Sequence, residues 1–72
     1  MENKLLNLAA DILNVKVDSI TLSTSRSMLE EWDSLAHIQL IIGVESSFNI
    51  KIPIEEINDI QTIDDFLKYI GD

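Results

Sequence analysis

With 72 residues, no cysteine and a net charge of −8 from thirteen acids against five bases, this chain is confined to few protein types. A chain so short buries only about 60% of its unfolded surface, so its core must be simple and apolar, with no disulfide or thiolate metal site to help. The charge argues against nucleic acid, which needs clustered Lys and Arg, and points to a basic protein surface as partner.

Residues 3–14 read as a first helix, since Leu5, Leu8, Ala9, Ile12 and Leu13 recur at helical spacing. Asn3 is its expected cap and Asn14 its stop. Residues 15–33 form a connection longer than the usual helix–helix loop. Ile20, Leu22, Met28 and Leu29 are expected to tie it to the core, with room for a short helix around 26–30. Residues 34–48 make the second helix, ended by Asn49. Gly43 inside it costs about 1 kcal/mol against alanine, so a close approach by another backbone or a partner is expected there. Ile50-Lys51-Ile52-Pro53 reads as an extended linker, because the residue before proline is pushed out of the helical region. No second strand exists to pair with it. A short helix then covers Ile54 to Ile60. Thr62 caps a last helix, with Asp65 completing a capping box and Gly71 ending it. Ile63, Phe66, Leu67 and Ile70 form its stripe. The fold class is therefore all-α: a four-helix bundle of three longer helices and one short, in a single domain, 1–72. Leu8, Ile12, Leu40, Val44, Phe48, Phe66 and Ile70 are the expected core.

The chain is organised around Trp32-Asp33-Ser34-Leu35, where a polar loop becomes the second helix. Asp33 and Ser34 are both favoured N-caps, because a short side-chain oxygen can accept from an unpaired amide of the first turn. The plain reading of Ser34 is such a cap. On a helical wheel with Ser34 at zero, Leu40, Ile41, Val44 and Phe48 fall between roughly 240° and 340°, with His37 among them. Leu35, Ile38 and Ile42 fall between roughly 40° and 100°, a second apolar stripe beside Ser34 with Glu45 near it. So small a bundle has little room to encircle one helix. Leu35, Ile38 and Ile42 are therefore read as a recognition patch, against the alternative that the 15–33 connection covers them.

These residues resemble the acyl carrier protein family. The likeness rests on Asp33-Ser34-Leu35 at the helix start, the spacing to Phe48, Ile50-Lys51-Ile52-Pro53, and the closing Thr62-Ile63-Asp64-Asp65-Phe66 with Tyr69-Ile70. It covers essentially the whole chain. The resemblance implies that Ser34 carries covalent 4′-phosphopantetheine added by a separate phosphopantetheinyl transferase, and that Asp33 helps present the serine. It also implies that Leu35, Ile38, Ile42 and Glu45 meet acyl-loading and acyl-transferring enzymes with basic docking surfaces. Glu31-Trp32 stands where many fatty-acid carriers have Gly-Ala or Gly-Leu, and Ala36, His37 and Gln39 make the start of this helix less acidic than usual. Both departures favour a dedicated carrier in a specialised pathway.

As an enzyme the chain is poorly equipped. His37, its one histidine, lies on the core-facing arc and reads as a packing residue. Asp64-Asp65 and Glu55-Glu56 are adjacent pairs that point apart, poor geometry for shared chemistry or a metal. Two glycines cannot make a phosphate loop. Met1-Glu2-Asn3-Lys4 is not the basic start of a signal peptide, and no apolar run approaches the ~20 residues of a membrane span, so a cytoplasmic monomer is expected. The alternative function is an unmodified acidic helical interaction module, in which Ser34 only caps.

Overall fold

The computed structural model describes residues 2–70. Helix α1 spans Glu2–Leu13, α2 spans Ser34–Phe48, and α3 is a last turn over Leu67–Ile70. Between them lie 3-10 turns at Val17–Ser19, Arg26–Met28, Ile54–Asp59 and Ile63–Phe66, the last running directly into α3. Counting that continuous closing element once, and the Ile54–Asp59 piece as the short helix, the all-α four-helix arrangement stands. Among the described residues there is no strand, only an isolated antiparallel bridge between Ser25 and Thr62.

Both long helices end on an asparagine in the left-handed region, Asn14 at φ 60° and Asn49 at φ 57°. Asparagine tolerates that conformation better than other residues bearing a Cβ, so each chain reversal follows from one residue. At the other end of α1 the expectation fails by a residue. The helix already includes Glu2, and Asn3 lies inside it, its carbonyl accepting from Asn7 Nδ2 at 2.8 Å rather than capping.

The 54–60 and 63–66 segments were expected as helices and take the tighter 3-10 form. The 54–59 piece is a short isolated connector and the 63–66 piece is the N-terminal turn of α3, the two settings in which 3-10 geometry is common. The capping box forms as expected: Asp65 Oδ2 accepts from the amides of Thr62 at 3.1 Å and Gln61 at 2.8 Å. Burial works against the Asp65 charge, but these amide donors outweigh it and hold the carboxyl below its ordinary value. Gly71, the expected stop, lies outside the described residues.

The core gathers Leu5, Ala9 and Leu13 of α1, Leu40, Ile41 and Val44 of α2, and Ile60, Ile63 and Phe66 of the closing segment. Ile20, Trp32 and Ile52 enter from the connections. Four expected core residues, Leu8, Ile12, Phe48 and Ile70, are only half-buried, at the rim of this cluster. Leu8 and Ile12 border the α1–α2 seam. A Cβ built on Gly43 would come within 2.6 Å of Ile12 Cδ1, so the glycine makes room for a side chain of α1 rather than for the expected backbone or partner. Phe48 closes the lower rim, with Lys4 Nζ 4.8 Å above its ring and donating to the Ser47 carbonyl at 3.1 Å.

The long connection is held by its backbone as much as by its apolar side chains. Arg26 N–H donates to Gln61 O at 2.7 Å, Ile63 N–H to Thr24 O at 3.2 Å, and Asp64 N–H to Leu22 O at 2.9 Å. Ile20 is buried, and Leu22 and Leu29 are half-buried, as an anchoring role demands. Met28 is a correction: it is 69% exposed, because its 3-10 turn presents it outward.

Candidate functional site

Ser34 opens α2 and is exposed, but it is not the cap. Asp33 is: its backbone is extended and its Oδ1 accepts from Ala36 N–H at 2.9 Å, while its carbonyl accepts from His37 N–H at 2.9 Å. Asp33 thus satisfies one first-turn amide with its side chain and accepts the helix's first backbone bond with its carbonyl, and Ser34 presents a primary hydroxyl at the positive end of a 15-residue helix. A phosphodiester on that oxygen would meet the helix dipole and first-turn amides, a setting that favours an anion.

Behind the serine the chain is anchored by two buried rings. Trp32 and His37 are each 2% exposed, with ring centroids 6.0 Å apart and planes at 28°. Trp32 Nε1–H donates to His37 Nδ1 at 2.9 Å, and His37 Nε2 lies 2.8 Å from the Ile57 carbonyl. Since Nδ1 accepts from the indole and Nε2 faces a carbonyl, the imidazole is neutral with its proton on Nε2. Burial lowers the His37 pKa from its ordinary value of 6.5, the Ile57 carbonyl raises it and the Arg26 charge lowers it again. His37 is the packing residue the wheel indicates, satisfied on both nitrogens. Its link to Trp32 was not read from the sequence, although the spacing of five residues around a helix start offered a clue.

In front of the serine, Leu35, Ile38 and Ile42 are 68%, 46% and 59% exposed, so one side of α2 carries an uncovered apolar stripe. Glu30, Glu31 and Asp33 are exposed just before Ser34, and Ile54 adds another uncovered apolar side chain. Glu45 stands apart from this group. It is half-buried, and its Oε2 accepts from Ile52 N–H at 2.8 Å, which fastens the extended 50–53 segment to α2.

The acid pairs have local work. Asp65 caps, as above, and Glu56 accepts from the Tyr69 hydroxyl at 2.5 Å. That bond, first of all, pushes the Tyr69 pKa up to about 12. Among the described residues, no group of three or more His, Cys, Asp or Glu is placed to hold a metal ion, and no helix is long and apolar enough to cross a membrane.

An exposed serine at a capped helix start, with its hydroxyl outside the cap, fits a protein modified on that oxygen. The family model described as "Phosphopantetheine attachment site" matches residues 3–70. Acyl carrier protein of Porphyromonas gingivalis is 34% identical over 70 residues, covering 97% of this chain and 90% of its own. That of Lactobacillus acidophilus is 35% identical over 68 residues, covering 94% and 85%, and that of Rickettsia typhi is 32% identical over 72, covering 97% and 81%. The chain belongs to the phosphopantetheine-binding acyl carrier protein family. Its cofactor is 4′-phosphopantetheine.

Proposed function

We propose that this chain is a carrier, itself without catalytic activity, that holds acyl intermediates on an arm attached to Ser34 Oγ. The observation that carries this reading is the division of labour at the start of α2. Asp33 takes the capping bond, and the exposed Ser34 hydroxyl remains outside it. When bound, the cofactor supplies the terminal thiol that carries the acyl group as a thioester, which is why a chain without cysteine can serve. The protein supplies position and recognition.

Recognition falls to the surface around the serine. Leu35, Ile38 and Ile42 offer apolar contact, and Glu30, Glu31 and Asp33 surround it with negative charge, which suits partner enzymes with basic docking surfaces. A phosphopantetheinyl transferase is the first such partner, with Asp33 presenting the serine to it. Acyl-loading and acyl-transferring enzymes of a specialised pathway follow. Glu45 is set aside from this surface, since it is half-buried and its carboxylate is engaged by Ile52 N–H.

Co-expression with a broad-specificity transferase, read by intact mass, tests the assignment. The wild-type chain gains one phosphopantetheine and Ser34→Ala gains none. Because Ser34 is not the cap, Ser34→Ala should shift stability by no more than about 0.5 kcal/mol, the usual range for a surface site. A loaded Ser34→Ala chain would refute Ser34. An unmodified wild-type chain would favour the helical interaction module instead.

A further inference from the structure

We propose that Trp32, His37 and the Ile57 carbonyl form a latch that holds the approach to Ser34, that His37 is thereby a positioning residue for loading of the serine, and that a proton on His37 opens the latch. The proposal rests on Ser34 being the attachment residue.

Three separate segments meet on one imidazole. Trp32 comes from the loop two residues before Ser34, His37 from the first turns of α2, and Ile57 from the Ile54–Asp59 turn. Packing alone does not call for this arrangement. A leucine or phenylalanine would fill a buried site without the cost of taking an imidazole out of water. The histidine instead spends both nitrogens on directional bonds, and one of them reaches the residue that leads into the serine. Backbone bonds reinforce the same stretch: Trp32 N–H donates to Leu29 O at 3.2 Å and His37 N–H to Asp33 O at 2.9 Å. Residues 32, 33, 36 and 37 are therefore held on both sides of the two exposed residues, Ser34 and Leu35.

Loading makes a bond between Ser34 Oγ and a phosphorus atom of coenzyme A. The donor's pyrophosphate P–O bond breaks, its nucleotide portion leaves, and the hydroxyl proton passes to a base of the transferase. Rates of such steps depend steeply on placement of the attacking oxygen, where a misplacement of about 1 Å can cost on the order of a hundred-fold. A fixed approach to Ser34 therefore acts on this reaction even though His37 never touches the reacting atoms.

Protonation places an N–H on Nδ1, directly opposite the Trp32 N–H. Two donors then face each other and that bond is lost, while the Nε2–H bond to Ile57 survives. Among the described residues, Arg26 is the group whose charge acts on the ring, and it opposes protonation. The carboxylates on the neighbouring segments do not bond to it. Asp33 is engaged by Ala36 and Glu56 by Tyr69, while Glu30, Glu31 and Asp59 are exposed. The fold favours the neutral ring, so the latch and its contribution to stability are complete above the ordinary value of 6.5. Both are lost as pH falls below that value and through the lower value of the folded state.

The chain has one tryptophan and one histidine, so each ring can be followed without assignment. The test titrates the full-length apo protein from about pH 8 to about pH 5, the range over which histidine changes charge, following Trp32 fluorescence and the His37 ring by NMR. Far-UV circular dichroism confirms that the helices persist. In parallel, loading from coenzyme A by a broad-specificity transferase is measured for wild type and Trp32→Phe in the same buffers, so that the transferase's own pH response cancels. Near neutral pH, Trp32→Phe should lose on the order of ten-fold in kcat with KM unchanged, less than the loss that a misplacement of the attacking oxygen by about 1 Å can cause. On acidification the wild-type rate should converge on the variant's, with the same midpoint as the indole signal. A folded Trp32→Phe chain that loads like wild type, a ratio independent of pH, or a His37 ring protonated on Nδ1 when neutral would each overturn the proposal. Should Trp32→Phe fail to fold, coincidence or separation of the wild-type indole and loading midpoints decides. A wild-type chain unloaded at every pH refutes Ser34 as the attachment residue, and the positioning role with it. The ring titration then still accepts or rejects the latch itself.

Discussion

Helix α2 has two apolar faces of similar composition and opposite fate. His37, Leu40, Ile41 and Val44 are buried, while Leu35, Ile38 and Ile42, offset around the same helix, are exposed. Hydrophobicity does not separate them, since both stripes are rich in leucine and isoleucine. What separates them is the supply of covering chain. One face meets α1 and the rest of the core. The other could have been covered by the long connection, but that connection bonds through its backbone to residues 61–64. An apolar side chain is core only where another element arrives to exclude water from it.

The comparison can be broken most forcefully at Leu40, which is fully buried. Leu40→Ala should cost about 2–5 kcal/mol in a urea melt, since a cavity opens as apolar contact is lost. A cost near zero would mean that the buried face is not what holds α2. A smaller effect is expected where the two faces begin. Asp33→Ala removes the bond to Ala36 and should cost about 1 kcal/mol, against almost nothing for Ser34→Ala. Equal costs at the two positions would return the cap to Ser34. The smallest stability change belongs to the open face. Ile42→Glu should stay within about 0.5 kcal/mol of wild type in a thermal melt. Transfer to and from partner enzymes should nevertheless weaken, because a charge then sits where they dock. Unfolding of that variant would mean that the stripe is buried after all.

Helix boundaries were largely legible before the structure. Ser34–Phe48 follows from an unbroken helical pattern between a capping pair and Asn49, and the Thr62–Asp65 box is visible as spacing alone. Burial was less so. Spacing placed Leu5, Leu8, Ala9, Ile12 and Leu13 on one face and the expected core took Leu8 and Ile12 from it, but Leu5, Ala9 and Leu13 are the ones buried. A repeat identifies a face and leaves its exact bearing to the neighbour. Met28 failed for the same kind of reason, because apolar character in a loop cannot say which way a single turn points.

The sequence by itself determined where the chain turns and where the serine stands. Caps, left-handed asparagines and proline act over a few residues, so their effects need no distant partner. The resemblance carried by Asp33-Ser34-Leu35 and the closing motif is local in the same sense. The tertiary structure alone decided that the 15–33 connection leaves the Leu35, Ile38 and Ile42 stripe uncovered, which of two adjacent residues caps α2, and which side chain joins Trp32 to the rest of the fold. The bond from His37 to Ile57 spans twenty residues of chain. No local pattern specifies such a contact, because it exists only after packing has brought the Ile54–Asp59 turn against the buried face of α2.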